Sequence, residues 1–296
     1  MLSDEELDKY RKAGEIASKL RRDMLETIKP GTKLLDIAEK IESAIIKAGA
    51  KPAFPVNISI NESAAHYTPQ IGDEKTVGRG DLVKIDIGAH IDGYLSDMAF
   101  TYCSEKSPIV KASREALDAG ISVIKPGVRI SEISAAIYES IESSGFGPVV
   151  NLTGHGIERW LFHGRFSIPN VPNENDRVLS EGDVIALEPF VCESAARVDE
   201  SDPVEIYQFA QRKPVRSMEA RKIMELAEKD YGGFPFAKRW LAKHISPFRI
   251  KMALMELERV GALKSYPLLK DMGGRKIAQS EDTIIVADEP IVTTRL

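Results

Sequence analysis

Two cysteines in 296 residues, Cys103 and Cys192, are too few for a disulfide framework or a four-ligand zinc ribbon. Both stand in apolar, strand-like stretches and read as buried free thiols. No apolar run approaches the roughly 20 residues needed to cross a bilayer. The opening stretch MLSDEELDKYRKAGE is polar from the start and lacks the apolar centre of a secretory signal, so a cytoplasmic protein is expected. A basic excess is missing too. Lys and Arg number 40 against 45 Asp and Glu, which leaves no electrostatic footprint for DNA or RNA. Histidine is scarce, with five in all. What remains, 43% hydrophobic and 29% charged, is the profile of a folded globular chain with length for one large domain or two smaller ones.

What is present is a repeat. Ile28-Lys29-Pro30-Gly31 recurs as Ile124-Lys125-Pro126-Gly127, an offset of 96 positions. At the same offset Ile37, Ile41, Ile45 and Gly49 correspond to Ile133, Ile137, Ile141 and Gly145. Isoleucine at every fourth position marks the buried stripe of a helix, and the glycine suits its C-terminus. A helix precedes each KPG turn; the first opens at Ser3-Asp4-Glu5-Glu6, a capping box. Further on, Gly80-Asp81-Leu82-Val83-Lys84-Ile85-Asp86 is echoed by Gly182-Asp183-Val184-Ile185-Ala186-Leu187-Glu188, each a turn entering a strand that ends on a carboxylate. Ser96-Asp97 and Ser280-Glu281 form a third, weaker echo. Three echoes in one order predict two αα-ββ halves related by a pseudo-twofold. The halves differ by an insert of about 80 residues between Glu188 and Glu281, which reads as helical, with Ser217 and Ser246-Pro247 as helix starts. Residues 1–192 and 267–296 are therefore assigned to the main α+β domain and 193–266 to a helical insert subdomain.

Asp92-Gly93 signals a two-residue type I′ hairpin, which sets Ile91 opposite Tyr94 and Gly88 opposite Asp97. Asp86 and Asp97 then lie on one sheet face as diagonal neighbours, roughly 7–8 Å apart. Two carboxylates on an otherwise apolar face repel unless something neutralises them. A divalent metal is the natural partner, and the repeat brings Glu188 and Glu281 to the same axis. Four carboxylates suit two hard ions better than one. Of the histidines, His155 sits between Gly154 and Gly156, where a backbone can approach a ligand closely. His163 follows eight residues on, and His66 lies in a turn-rich segment. His90 and His244 are read as outside the chemistry.

The segments FPVNISINESAAHYTP (54–69), KIDIGAHIDGYLSDMAF (84–100), NLTGHGIERWLFHG (151–164), GDVIALEPF (182–190) and AQSEDTIIV (278–286) resemble type 2 methionine aminopeptidases of the pita-bread metallopeptidase family. The archaeal form is the better match, since eukaryotic members carry a long charged N-terminal extension. The resemblance spans nearly the whole chain, insert included. It implies a pita-bread (creatinase/aminopeptidase-like) fold and two divalent ions (Co, Mn, Fe or Zn) held by Asp86, Asp97, His155, Glu188 and Glu281, with Asp97 and Glu281 shared. It implies catalytic roles for His66, His163 and Glu188, and a methionine pocket built or bordered by Phe54, Phe162, Phe190 and Tyr266 together with His66 and His163. The partners it implies are the N-termini of nascent polypeptides, with the ribosome as one place to meet them, no membrane, no DNA and a monomeric enzyme. Two stretches depart from the pattern. Ser280 and Asp282 stand where the family has Phe and His, and Val191–Arg197 replaces a Gly-rich run.

The expected reaction is hydrolysis of the first peptide bond by water activated between the ions, with His66 or His163 stabilising the oxyanion and Glu188 moving the proton. Three other readings compete. An Xaa-Pro peptidase of the same fold usually carries a further N-terminal domain. A non-catalytic pita-bread binding protein loses metal ligands, all five of which stand here. A purely structural helix-strand protein leaves the co-arranged acids unexplained.

Overall fold

The computed structural model describes residues 2–295. Helix α1 (Asp4–Thr27) starts where expected: Ser3 and Glu6 cap each other's backbone, and Asp4, Glu5 and Glu6 meet the positive end of the helix. Helix α2 (Leu34–Lys47) buries Ile37, Ile41 and Ile45, and Gly49 ends it with φ of 82°. In the second half, α3 (Pro108–Ser122) has proline in its first turn, and α4 (Ile130–Ser143) buries Ile133, Ile137 and Ile141 before Gly145 at φ 77°. The two KPG turns are near-copies. Gly31 and Gly127 both take φ 91°, and their amides donate to Val77 O and Leu179 O, each at 2.8 Å. Asp81 and Asp183 close equivalent turns, each side chain accepting from the amide three residues before it, Gly78 and Ser180 respectively.

Short strands β1 (Lys51–Pro52), β2 (Asn57–Ile60) and β3 (Ser63–Ala65) precede the main hairpin of β4 (Val83–Ile91) and β5 (Tyr94–Tyr102). The hairpin has the expected register, Ile91 opposite Tyr94 and Gly88 opposite Asp97, and Asp92 and Gly93 take φ 51° and 85° as a type I′ turn requires. One face of β4 sends Ile85, Ile87 and Ala89 into the core under α1 and α2. Its other face carries Asp86 and Gly88. The second half repeats this with β6 (Gly147–Pro148), β7 (Thr153–Ile157), β8 (Ser167–Pro169), β9 (Val184–Leu187) and β10 (Phe190–Cys192), where Ile185, Leu187 and Val191 pack beneath α3 and α4. Each helix pair thus covers the outer face of its own strands and leaves the inner face free.

The segment between Cys192 and the last strands holds α5 (Met218–Glu225), a π-helical turn at Leu226–Asp230, α6 (Lys238–Leu241) and α7 (Pro247–Arg259). It also holds strands that the helical expectation omits. In chain order these are β11 (Asp199–Phe209), β12 (Phe236–Ala237) and β13 (Leu263–Lys270). β11 pairs with both others, and β13 continues to β3 of the first half. Bulges near Pro203 break the two-residue alternation of β11, which hides the strand from pattern reading. Finally β14 (Ile277–Gln279) pairs with β10, while β15 (Asp282–Ile285) lies between β9 and β16 (Ile291–Val292). No helix among the described residues is long and apolar enough to cross a membrane.

Candidate metal centre

The two free sheet faces meet around one cavity of about 640 Å³. All eleven residues singled out above line it: Asp86, Asp97, His155, Glu188 and Glu281 together with Phe54, His66, Phe162, His163, Phe190 and Tyr266. Asp97, His155 and Glu281 are buried, and their ligand atoms lie within 4.8 Å of one another. His155 Nε2 is 3.4 Å from Asp97 Oδ2 and 3.8 Å from Glu188 Oε1.

The donor set is suited to a cation. The Nδ1 of His155 lies 3.0 Å from the carbonyl oxygen of Gly156, which can only accept, so Nδ1 carries the proton. With Nδ1 committed to that carbonyl, Nε2 is the ring nitrogen that faces the carboxylate oxygens of Asp97 and Glu188. A backbone carbonyl orienting a ligand imidazole in this way is common in metal sites. Asp86 Oδ1 is buried and has no hydrogen-bond partner among the described residues. Burial pushes Asp86, Glu188 and Glu281 well above the usual carboxylate range, and the charge of Asp97 adds to each. Asp86, Glu188 and Glu281, crowded this way around Asp97, disfavour ionisation until a positive charge joins them.

The two halves are stitched together at the ligands. Thr283 Oγ1 donates to Asp97 O at 2.8 Å and accepts from Asp97 N at 2.7 Å. Its counterpart Thr101 Oγ1 donates to Gln279 O at 2.7 Å and accepts from Gln279 N at 2.8 Å. Glu281 N donates to Ala99 O at 2.8 Å. Neither threonine nor Gln279 is identified in the sequence reading. Gln279 Nε2 reaches Glu188 Oε2 at 3.4 Å and Glu281 Oε2 at 3.2 Å. Its position two residues before Glu281, hence on one strand face, is the signal that could have found it. The glycines around His155 serve a different end from the one expected. A Cβ on Gly154 would meet Ala186 O at 2.5 Å, and one on Gly156 would meet the Phe166 ring at 2.7 Å. They admit neighbouring protein, not a ligand. The departures at Ser280 and Asp282 are satisfied behind Glu281: Ser280 bonds Ser113, and buried Asp282 pairs with Arg295, Arg114 and Arg21.

Above the acids, Phe54 and Phe162 pack with ring centres 4.8 Å apart, and His163 sits 4.7 Å from His155 and 6.1 Å from Tyr266. Tyr266 lies on β13, donates its hydroxyl to Gln208, and packs edge-on against His66. Burial pushes His66 down to about 4 and His163 down to about 2, so both are neutral near pH 7. His66 takes φ 65°, unusual for a non-glycine residue, and its Nδ1 donates to Pro267 O at 3.1 Å. Its Nε2 is left as an acceptor. His90 packs apart from the acids against Trp160 and Phe234.

Comparison with known proteins agrees with this geometry. Residues 8–286 match metallopeptidase family M24. The chain is 49% identical over 281 residues to a methionine aminopeptidase of Thermococcus onnurineus, covering 94% of this chain and 95% of that one. It is 46% identical over 293 residues to a methionine aminopeptidase of Pyrococcus abyssi, covering 98% and 99%. Among solved structures, a thermophilic Arx1 superposes with a TM-score of 0.86 over 99% of this chain and 91% of that one, at 18% identity, a likeness of fold alone. The pita-bread architecture, the cluster of buried metal-ligand side chains and the full-length sequence identity lead to one assignment: this chain belongs to metallopeptidase family M24.

Proposed function

We propose that the chain is a methionine aminopeptidase, a metal-dependent hydrolase that removes the N-terminal methionine of peptides and nascent proteins whose second residue is small. The observation that carries this reading is the convergence of four carboxylates and His155 on the floor of a cavity walled by aromatic rings. Asp86, Asp97, His155, Glu188 and Glu281 would hold two divalent ions, Asp97 and Glu281 serving both. When bound, such ions supply a Lewis acid and lower the pKa of a coordinated water. Glu188 stands beside His155 with Oε2 steadied by Gln279 and is placed to take up and pass on a proton. His163, neutral and with no ring-nitrogen hydrogen bond among the described residues, can donate to the oxygen of the scissile amide. His66 has committed Nδ1 to Pro267, so its Nε2 is free to accept from a peptide N–H. Phe54, Phe162, Phe190 and Tyr266 offer apolar walls suited to a flexible thioether. The division into 1–192 with 267–296 and an insert at 193–266, action as a monomer and a cytoplasmic setting belong to the same proposal.

The test is hydrolysis by chelator-treated protein, with and without Mn or Co, of a Met-Ala-Ser peptide and of an Ala-Pro peptide. Methionine release that depends on added metal is expected. Cleavage of the Ala-Pro bond alone would move the chain to the Xaa-Pro peptidases. No cleavage of either would favour a non-catalytic binding protein of the same fold.

A further inference from the structure

Helix α7 is apolar on two sides. Ile250, Ala253, Leu254 and Leu257 enter the core of the insert. On the opposite side Phe248, Met252 and Met255 stand 80%, 57% and 55% exposed, and Met218 at the start of α5 is 74% exposed. The spacing of 248, 252 and 255 is one helical stripe, about 10 Å long at 1.5 Å per residue. Isolated surface apolar residues need no explanation, whereas a contiguous stripe beside a groove marks an interaction site. Here the groove, about 720 Å³, runs between Arg216–Glu219 and α7. Methionine side chains adapt to a partner's shape, as promiscuous helix-binding grooves require.

Charge indicates the occupant. The charged residues that line the groove are Arg216, Arg249 and Arg259 against Glu219 and Glu256, in a chain whose net charge is -5. Both glutamates are engaged. Glu219 pairs with Arg249 at 2.8 Å, and Glu256 accepts from Ser217 Oγ and from the amide of Arg216. The guanidinium groups of Arg216 and Arg259, both on the groove, form no direct ion pair among the described residues. We infer that this groove docks an amphipathic helix of a partner protein that carries acidic residues beside its apolar anchors. Nucleic acid fits less well. Its affinity comes from phosphates, which need no exposed Phe and Met at the centre of the site and would meet Glu219 and Glu256 in the groove wall. The inference is independent of the hydrolytic reading, because none of these residues lines the acidic cavity.

The full chain, metal-loaded, is titrated by fluorescence anisotropy with three labelled probes. One is a helical peptide with Leu and Phe on one stripe and Glu on its flanks, the second is its twin with Lys in place of Glu, and the third is a single-stranded RNA oligonucleotide. The acidic peptide should bind and the Lys twin should be weaker by about tenfold or more, the equivalent of 1.4 kcal/mol. Phe248→Ala with Met252→Ala should weaken the acidic peptide by a similar factor while peptide hydrolysis and the circular dichroism spectrum stay unchanged. Four outcomes overturn the inference: no binding of the acidic peptide, equal binding of the twin, indifference to the double substitution, or RNA binding lost only on replacing Arg216 and Arg259. Self-association abolished by the double substitution, seen in sedimentation, would instead make the face a contact between copies.

Discussion

Gly88→Ala offers a measured push on one wall of the cavity. Gly88 lies opposite Asp97 on the inner face, and a Cβ there would stand 2.2 Å from Phe54 Cε1, 2.6 Å from Cδ1 and 2.7 Å from Cζ. Carbon atoms at rest sit roughly 3.5–4.0 Å apart, so the ring must retreat by about 1.3 Å or more. It cannot recede freely, because Phe54 is 3% exposed and its ring already packs on Phe162. Gly88 does not need a left-handed backbone, so the penalty is steric alone. Overpacking of this kind costs about 1–3 kcal/mol. If half or more of that falls on the substrate-bound state, kcat/KM for a methionyl peptide drops roughly 2- to 150-fold, chiefly through KM. Metal content, read by elemental analysis, should hold, since no ligand atom moves. Adding Phe54→Leu should recover part of the loss, so the two substitutions are non-additive. Wild-type kinetics in Gly88→Ala, or a loss of metal at unchanged KM, would refute the assignment of Phe54 to the pocket wall.

Other expectations concern roles and pH. Asp97→Ala or Glu281→Ala should lose both metal and activity, whereas His163→Ala should keep its metal while kcat falls about 10²-fold; elemental analysis beside steady-state kinetics separates them. Tyr266→Ala should raise KM for methionyl peptides at constant metal content, and unchanged kinetics would place Tyr266 outside the pocket. His90 gives a stability prediction. Burial holds it at about 4 against a free value near 6.5, and its Nδ1 accepts from Gly93 N at 3.2 Å. The unfolded chain therefore takes up the proton first as pH falls, so stability is full above about pH 6.5 and declines toward pH 4, by about 2 kcal/mol at pH 5. His90→Asn, whose amide oxygen can accept the same bond, should lose less between about pH 7.5 and about pH 5 in urea melts; an equal loss would mean His90 does not carry the effect.

Much of this architecture is legible because its determinants are local. The Asp92-Gly93 dipeptide sets the β4–β5 register, which puts Asp86 and Asp97 on one face, and the isoleucine stripes set which helix faces are buried. The KPG turns and the turns closed by Asp81 and Asp183 recur because each half folds by the same short-range rules. What escaped is long-range or irregular. Thr101 and Thr283 have their roles only because strands 178 and 186 positions away arrive beside them. Gln279 became visible once Glu188 and Glu281 met. β11 hid behind its bulges, and the glycines flanking His155 answer to Ala186 and Phe166, which no local pattern announces.

The threonine latches also set a timetable for synthesis. Asp97 leaves the ribosome 184 residues before Glu281. At 5–20 residues per second that interval is about 10–40 s, during which the first hairpin exists without the segment that latches onto it. Over that time Asp86 and Asp97 face water instead of a cavity, and their mutual repulsion is screened instead of stored. The site therefore closes only after residues 277–285 thread in between the two earlier sheets. A chain halted anywhere before Glu281 lacks the last member of the buried Asp97, His155 and Glu281 cluster.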